Sequence, residues 1–176
     1  SVILTGMKRL LPISLSFVLF TLSACGDYEK GVDAYKDGNY ATALSVFQPL
    51  AENKGVLSLF YSKEDVINAQ SRLGWMYENG EGVSEDDEEA VKWYRLAAEQ
   101  GHARAQSNLG GMYGNGQGVL QDYVRAHMWL NIAASSGESK YALQNRDIVA
   151  KRMSSSQIET AKKLARECVR KKYKGC

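Results

Sequence analysis

Residues 73–101 read LGWMYENGEGVSEDDEEAVKWYRLAAEQG, and residues 109–137 read LGGMYGNGQGVLQDYVRAHMWLNIAASSG. Fourteen positions, among them four glycines and one tryptophan, are identical at an offset of 36 residues. A repeat with a period of roughly 20–50 residues is typical of solenoids, in which each unit stacks on its neighbours. We therefore expect an all-α solenoid. Such arrays present an extended surface and usually act by holding partners.

Each repeat predicts two helices. Leu73, Met76 and Tyr77 have the i, i+3, i+4 spacing of one face of a first helix, called helix A. Gly74 interrupts this face at a cost of about 1 kcal/mol relative to alanine, so we expect a neighbouring helix to approach closely there. Gly80 ends the helix as a left-handed cap. A second helix, helix B, follows, and its tryptophan (Trp93 in the first repeat) is expected in the core.

The repeated residues resemble the SEL-one-like repeat, a relative of the tetratricopeptide repeat, with two copies at residues 68–101 and 104–137. Residues 28–54 resemble a shorter tetratricopeptide-type hairpin with a tight turn at residues 37–39. The resemblance therefore makes residues 25–137 the repeat region. It implies a right-handed superhelix of antiparallel helix pairs that serves as an adaptor.

Residues 55–67 are an insertion between the hairpin and the first full repeat. The run from Val56 to Tyr61 is apolar, and we expect it to pack against the neighbouring hairpin. The alternative is an exposed contact patch for a partner. Ser62 precedes Asp65 by three residues, which predicts a capped start of a longer helix A.

Residues 138–176 predict a C-terminal capping helix pair and a basic tail. Ser154 and Gln157 form a capping-box pattern that opens the last helix. The segment resembles the end segment that follows such repeats in many bacterial proteins. Its bases suit a helix C-terminus, and the alternative is contact with an anionic envelope surface or an acidic partner. They are Lys162, Lys163, Arg166, Arg170, Lys171, Lys172 and Lys174.

Residues 1–24 resemble a bacterial lipoprotein signal peptide. Lys8 and Arg9 precede an apolar stretch that is too short for a membrane span, and Leu22-Ser23-Ala24-Cys25 matches a lipidation site. Residues 1–6 are an over-extended start or a cloning remnant in this interpretation. Cleavage before Cys25 would leave a lipid-anchored protein in the cell envelope, facing the periplasm. Gly26 favours sorting to the outer membrane; the alternatives are an uncleaved anchor and an ordinary secretory peptide.

Two further cysteines, Cys168 and Cys176, lie near the C-terminus. In an oxidising compartment they can pair with each other, or the terminal thiol can join another chain. We expect no metal site, because two cysteines without a nearby histidine do not complete the usual four ligands. We also expect no cofactor.

Charge and motifs argue against nucleic-acid binding and catalysis. Between residues 27 and 101 there are 15 acidic and 7 basic residues, whereas residues 102–176 contain 5 acidic and 13 basic residues. No aromatic residues are interleaved regularly among the bases, so we expect no nucleic acid as a partner. His102 and His127 occupy positions that the repeat explains, and no phosphate loop, zinc helix or serine elbow occurs. We expect no catalytic residues.

By analogy with tetratricopeptide units, the inner face of helix A lines a binding groove. Trp75 is unusual on that face, because its equivalent is Gly111 and repeat packing does not require an indole there. It is either a contact for a partner or a packing residue against the insertion. The predicted groove residues are Tyr28, Val32, Tyr35, Asn68, Ser71, Trp75, Glu78, Arg104 and Ser107, with Gly111 and Gly114 on the same face.

These features predict a membrane-tethered scaffold that holds one or more envelope proteins. The alternative is a protein that binds or hydrolyses cell-wall or beta-lactam compounds. Relatives linked to beta-lactams look disulfide-stapled within each repeat, whereas this chain has no cysteine between Cys25 and Cys168.

Overall fold

The computed structural model describes residues 26–54, 59, 61–137, 139 and 141–176. This part of the chain forms eight α-helices and contains no β-strand. None of these described helices has the length and apolar character that a membrane crossing requires. The helices are α1 Asp27–Lys36, α2 Tyr40–Glu52, α3 Lys63–Asn79, α4 Asp87–Ala98, α5 Ala103–Asn115, α6 Tyr123–Ser135, α7 Ala142–Ala150 and α8 Ser155–Arg170. The predicted signal peptide and Cys25 lie outside the described residues.

The helices stack in chain order, which confirms the all-α solenoid. Helices α1 and α2, α3 and α4, and α5 and α6 pack as pairs, and each pair packs on the next through α2 with α3 and α4 with α5. The two capping helices also form. Both α7 and α8 pack mainly on α6 rather than on each other. The cap therefore covers the last helix B from two sides instead of adding another hairpin.

Local signals explain where the helices begin and end. Ser62 caps α3 by accepting a hydrogen bond from the Asp65 backbone N–H at 3.0 Å, and Ser154 forms the predicted capping box with Gln157. Gly80, at the end of α3, adopts the left-handed conformation with φ of 66°. Since α3 has 17 residues and α5 has 13, the predicted lengthening of the helix after the insertion is confirmed.

Close helix approach at the interior glycines is also confirmed. A β carbon at Gly74 would lie 2.6 Å from the Tyr94 ring of α4. A β carbon at Gly31 would lie at the same distance from the Phe47 ring of α2. The absence of a side chain thus lets a large aromatic residue of helix B lie against helix A.

The core has two parts. The first is formed by α1 to α3 around Phe47 and Leu73, and the second by α4 to α6 with α8 around Leu109 and Trp129. Trp129 is 2% exposed, as expected for a core residue. Trp93 was expected in the core as well, but it is only partly buried and packs on the edge of the first core. The aromatic residue buried in α4 is its neighbour in sequence, Tyr94.

Two buried glutamines join successive units. The Gln70 amide of α3 donates to the Ala51 carbonyl oxygen at 3.1 Å, and the Gln106 amide of α5 donates to the Ala98 carbonyl oxygen at 3.1 Å. Each acceptor lies in the last turn of the preceding helix B. Because buried hydrogen bonds are costly to leave unmade, these contacts help to fix the position of each helix A on the unit before it.

Most of the apolar part of the insertion lies outside the described residues. Leu59 is 80% exposed, whereas Tyr61 is partly buried and packs on the first core. The expected packing on the neighbouring hairpin therefore holds for Tyr61 and not for Leu59.

The C-terminal tail folds back on the repeats. Cys168 forms a disulfide bond with Cys176, and both residues pack against the second core. A β carbon at Gly101 would lie 3.1 Å from the Tyr173 ring, so the tail contacts the α4–α5 junction. Lys172 and Tyr173 have positive φ angles of 53° and 66°, a conformation that the closed loop maintains.

We expect the Cys176→Ser substitution to lower the free energy of unfolding by about 1 kcal/mol. The disulfide closes a short loop, and the resulting restriction of the unfolded chain stabilises the folded state by roughly 2–3 kcal/mol. When the bond is lost, relaxation of the Lys172 and Tyr173 backbone offsets part of the lost stabilisation. Thermal unfolding with and without reductant measures the effect, which corresponds to a Tm lower by about 2–4 °C. The serine variant serves as the control, because reductant should not change its Tm. Equal Tm values for the oxidised and reduced native chain would contradict this account.

Candidate binding cleft

The first helices of successive units border one cleft of about 840 Å³. Helix α1 forms one wall, α3 and the start of α5 form the adjoining wall, and Ser139, Tyr141 and Asn145 form the far wall. This arrangement follows from the stacking, which turns equivalent faces of α3 and α5 to the same side. The lining residues are Tyr28, Tyr35, Asn68, Ser71, Arg72, Trp75, His102, Arg104, Ser107, Asn108, Ser139, Tyr141 and Asn145.

Seven of the nine predicted groove residues line this cleft; Val32 and Glu78 do not. Val32 is 9% exposed and packs in the first core, because it is the apolar residue of α1 that faces α2 and α3. The Glu78 carboxylate accepts a hydrogen bond from the Tyr94 hydroxyl at 2.6 Å. The structure corrects both placements: Val32 packs in the core, and Glu78 is hydrogen-bonded to Tyr94 of α4.

Aromatic rings dominate one end of the cleft. Tyr28 packs on Phe47 with ring centroids 5.7 Å apart, and Tyr35 packs on Tyr40 at 5.3 Å. These contacts fix both tyrosines from behind. Trp75 is 41% exposed in the cleft wall, so its indole is available to a ligand.

Tyr35 is held by a polar contact at the cleft edge. Its hydroxyl donates a hydrogen bond to the Glu81 carboxylate at 2.6 Å, and the Arg72 guanidinium lies 5.1 Å from the centre of its ring. Burial, together with the hydrogen bond and the charge of Glu81, raises the pKa of Tyr35 to about 12. The phenol is therefore neutral at physiological pH and has a fixed orientation.

The charged residues of the lining are basic. Arg72 and Arg104 lie on α3 and α5, and neither makes an ion pair with another described residue. Among the lining residues that the structure describes, there is no aspartate or glutamate. His102 also lines the cleft and caps the start of α5, where its ring accepts a hydrogen bond from the Ala105 backbone N–H at 3.1 Å. The cleft is thus polar, aromatic and cationic.

Comparison with known families identifies the units that carry this cleft. The Sel1 repeat profile matches residues 67–102 and again residues 103–138. These two segments are Sel1 repeats. Sel1 repeats in general mediate protein–protein interactions, and proteins built from them are typically non-enzymatic adaptors.

Two solved structures share the arrangement of the Sel1 repeats. One is a protective antigen present in uropathogenic Escherichia coli strains, described as displaying an SLR fold; it has a TM-score of 0.73 and 29% identity over 85% of this chain. The other is a Sel1 repeat protein from Oxalobacter formigenes, with a TM-score of 0.54 and 28% identity over 74% of this chain. This chain spans 30% and 56% of their respective lengths. No curated protein sequence matches the chain.

The structure adds six residues that sequence reasoning did not place in the groove. Arg72 and Asn108 are equivalent positions of the two Sel1 repeats, directly after Ser71 and Ser107. A prediction that took a wider part of the helix A surface as the inner face would have included both residues. The remaining four are His102, Ser139, Tyr141 and Asn145. The last three belong to the C-terminal cap. Because the cap has no second copy in the sequence, the 36-residue offset could not predict its position on the repeats.

The hydrogen bond between Glu78 and Tyr94 connects α3, which lines the cleft, to α4. Burial raises the pKa of Glu78, and burial also raises the pKa of its partner Tyr94, whose charged form would lie beside the carboxylate. Tyr94 is fully buried against Gly74. The pair therefore ties α3, the helix that carries Trp75, to α4.

The arrangement suits non-covalent binding. Within the described ranges, no group of three or more histidine, cysteine, aspartate or glutamate residues could hold a metal ion. The lining offers guanidinium groups, amides, hydroxyls and aromatic faces. These groups recognise a ligand by hydrogen bonds, charge and ring contacts.

Proposed function

We propose that this chain is a lipid-tethered adaptor of the bacterial cell envelope that holds a protein partner in its cleft. The Sel1 repeats support a role in protein–protein interaction. The signal-peptide pattern that ends at Cys25 supports an anchor facing the periplasm, and Gly26 supports the outer membrane. The two or more acyl chains of a lipidated cysteine suffice for stable anchoring.

The observation that carries the proposal is the exposed indole of Trp75. The equivalent position in the second Sel1 repeat is Gly111, so the repeat itself does not need a large side chain there. Trp75 is 41% exposed and stands in the cleft wall. Tryptophan in a concave surface is a frequent energetic centre of protein interfaces.

The proposal is tested by crosslinking the native chain in its own envelope and identifying the captured proteins by mass spectrometry. We expect the Trp75→Ala variant to lose at least about nine-tenths of the captured partner, since removal of a central aromatic costs about 2 kcal/mol or more. Leu120→Ala is the matched control, because Leu120 is 92% exposed and does not line the cleft. Circular dichroism verifies that both variants are folded.

Each part of the proposal has its own contradicting result. Equal capture by Trp75→Ala and the native chain would exclude the cleft as the site of contact. Capture of no specific protein would exclude the adaptor role. Metabolic labelling with a palmitate analogue tests the tether: the label should appear on the native chain and be absent from Cys25→Ser.

A further inference from the structure

The charged residues that line the cleft differ in sign from most of those in the chain segment that forms much of it. Residues 27–101 contain 15 acidic and 7 basic residues, and they supply six of the lining residues. None of those acidic residues lines the cleft. The Glu81 carboxylate contacts a lining residue from outside the cleft, since it accepts the hydrogen bond from the Tyr35 hydroxyl. The acidic half thus contributes one arginine, Arg72, and none of its own carboxylates to the lining, and the second arginine, Arg104, comes from the basic half.

Within the described residues, the two arginines of the cleft have no carboxylate partner. Arg104 is exposed and Arg72 is half-buried beside the Tyr35 ring. Of the eight arginines in the described part of the chain, only Arg125 and Arg146 pair with an aspartate. Arg72 and Arg104 are the two unpaired arginines that face a concave surface. A concave surface concentrates the field of unpaired charges and attracts a ligand of opposite sign.

The lining also offers unused amides. The side chains of Asn68 on α3 and Asn145 on α7 both line the cleft and make no hydrogen bond with other described residues. A primary amide donates and accepts at once. It can therefore pair with the backbone N–H and C=O of an extended polypeptide, whose hydrogen-bonding groups need partners when they leave water.

We infer that the cleft binds an extended acidic peptide segment of a partner protein. Carboxylate side chains of the segment pair with Arg72 and Arg104, and its backbone bonds to the asparagine amides. An apolar side chain of the segment contacts Trp75. This inference rests on the proposed adaptor function and specifies the chemistry of the partner.

The test uses the full chain, purified in detergent, and an array of synthetic peptides with acetylated and amidated ends. Each peptide has one leucine and two glutamates in an alanine–serine background, with the glutamates at every separation from one to six residues. A twin with glutamine in place of both glutamates accompanies each peptide. Fluorescence anisotropy measures Kd.

We expect a preference at only one or two of the six spacings between the glutamates. At those spacings the glutamate peptide should bind at least about tenfold more tightly than its glutamine twin. Arg72→Gln and Arg104→Gln should each weaken that binding about tenfold, since hydrogen bonds to charged groups contribute about 1.5–3 kcal/mol. Arg170→Gln removes the same charge from the exposed end of α8, outside the cleft, and should change Kd less than twofold.

Equal binding of glutamate and glutamine peptides at every separation, or a preference that survives in the Arg72→Gln/Arg104→Gln double variant, overturns the inference. Absence of binding by every peptide overturns it as well. These results differ from failure of the adaptor function. If envelope partners are still captured in a Trp75-dependent manner, the adaptor function stands and only the acidic chemistry is wrong.

Discussion

Replacing Gly118 by alanine should lower the free energy of unfolding by about 3 kcal/mol or more. The alanine would adopt a left-handed conformation at a cost of about 1–2 kcal/mol, and its β carbon would overlap the neighbouring unit at a further cost of about 1–3 kcal/mol. Thermal and denaturant unfolding measure the loss. The corresponding decrease in Tm is about 6–12 °C.

The large effect follows from contact with backbone rather than with a movable side chain. Gly118 has φ of +62°, and a β carbon there would lie 2.2 Å from the carbonyl oxygen of Asp87, the first residue of α4. Gly82 has the equivalent contact, since its β carbon would lie 2.9–3.0 Å from atoms of Tyr40, the first residue of α2. The second glycine of each loop thus packs on the start of the preceding helix B.

Gly137→Ala is the matched control for this prediction. Gly137 has φ of +74°, and a β carbon there would meet nothing within 4 Å. Its substitution therefore measures the cost of the left-handed conformation alone, about 1–2 kcal/mol. If Gly118→Ala and Gly137→Ala lower the stability equally, the contact between the Gly118 loop and α4 is not as close as described.

Much of the fold could be predicted because the sequence contains two copies of one unit, which can be compared position by position. The offset of 36 residues defines equivalent positions, and Gly74 with Gly110 marks where helix B approaches helix A. Caps such as Ser154 are local and need no tertiary information. Seven of the residues predicted to share the inner face, two from the first hairpin and five from the repeats, line one cleft in the structure.

The remaining features depend on contacts between distant segments. Gln70 and Gln106 are also related by the offset, but only the stacking shows that their amides bond to the preceding helix B. The two glycines of each loop look alike in sequence, although one caps a helix and the other contacts a neighbouring unit. Val32 has an apolar side chain that could face either a groove or a core, and the packing of α1 against α2 and α3 decides for the core. The far wall of the cleft comes from the cap, which has no second copy for comparison.

Adjacent glycines in α5 should respond in opposite directions to the same substitution. We expect Gly110→Ala to destabilise the chain by about 1–3 kcal/mol and Gly111→Ala to stabilise it by about 0.5–1 kcal/mol. Alanine is the better helix former at both positions by about 1 kcal/mol. Unfolding in urea measures the two changes under identical conditions.

The difference between the two positions is the distance to α6. A β carbon at Gly110 would lie 2.7 Å from the Cγ of Leu130 and 3.2 Å from the carbonyl oxygen of Ala126, whereas a β carbon at Gly111 would meet nothing within 4 Å. Leu130 is fully buried and therefore has little space to move. The overlap at Gly110 outweighs the gain in helix propensity, and that gain remains at Gly111.

Each variant is the other's control, because both change one glycine of the same helix to alanine. Stabilisation by both substitutions would show that Leu130 moves aside at little cost, and that α5 and α6 are less tightly packed than the structure indicates. Destabilisation by both would show that Gly111 contacts another part of the chain or that α5 is not a regular helix there. Opposite signs would establish that close packing between helix A and helix B, rather than helix propensity, determines where these repeats require glycine.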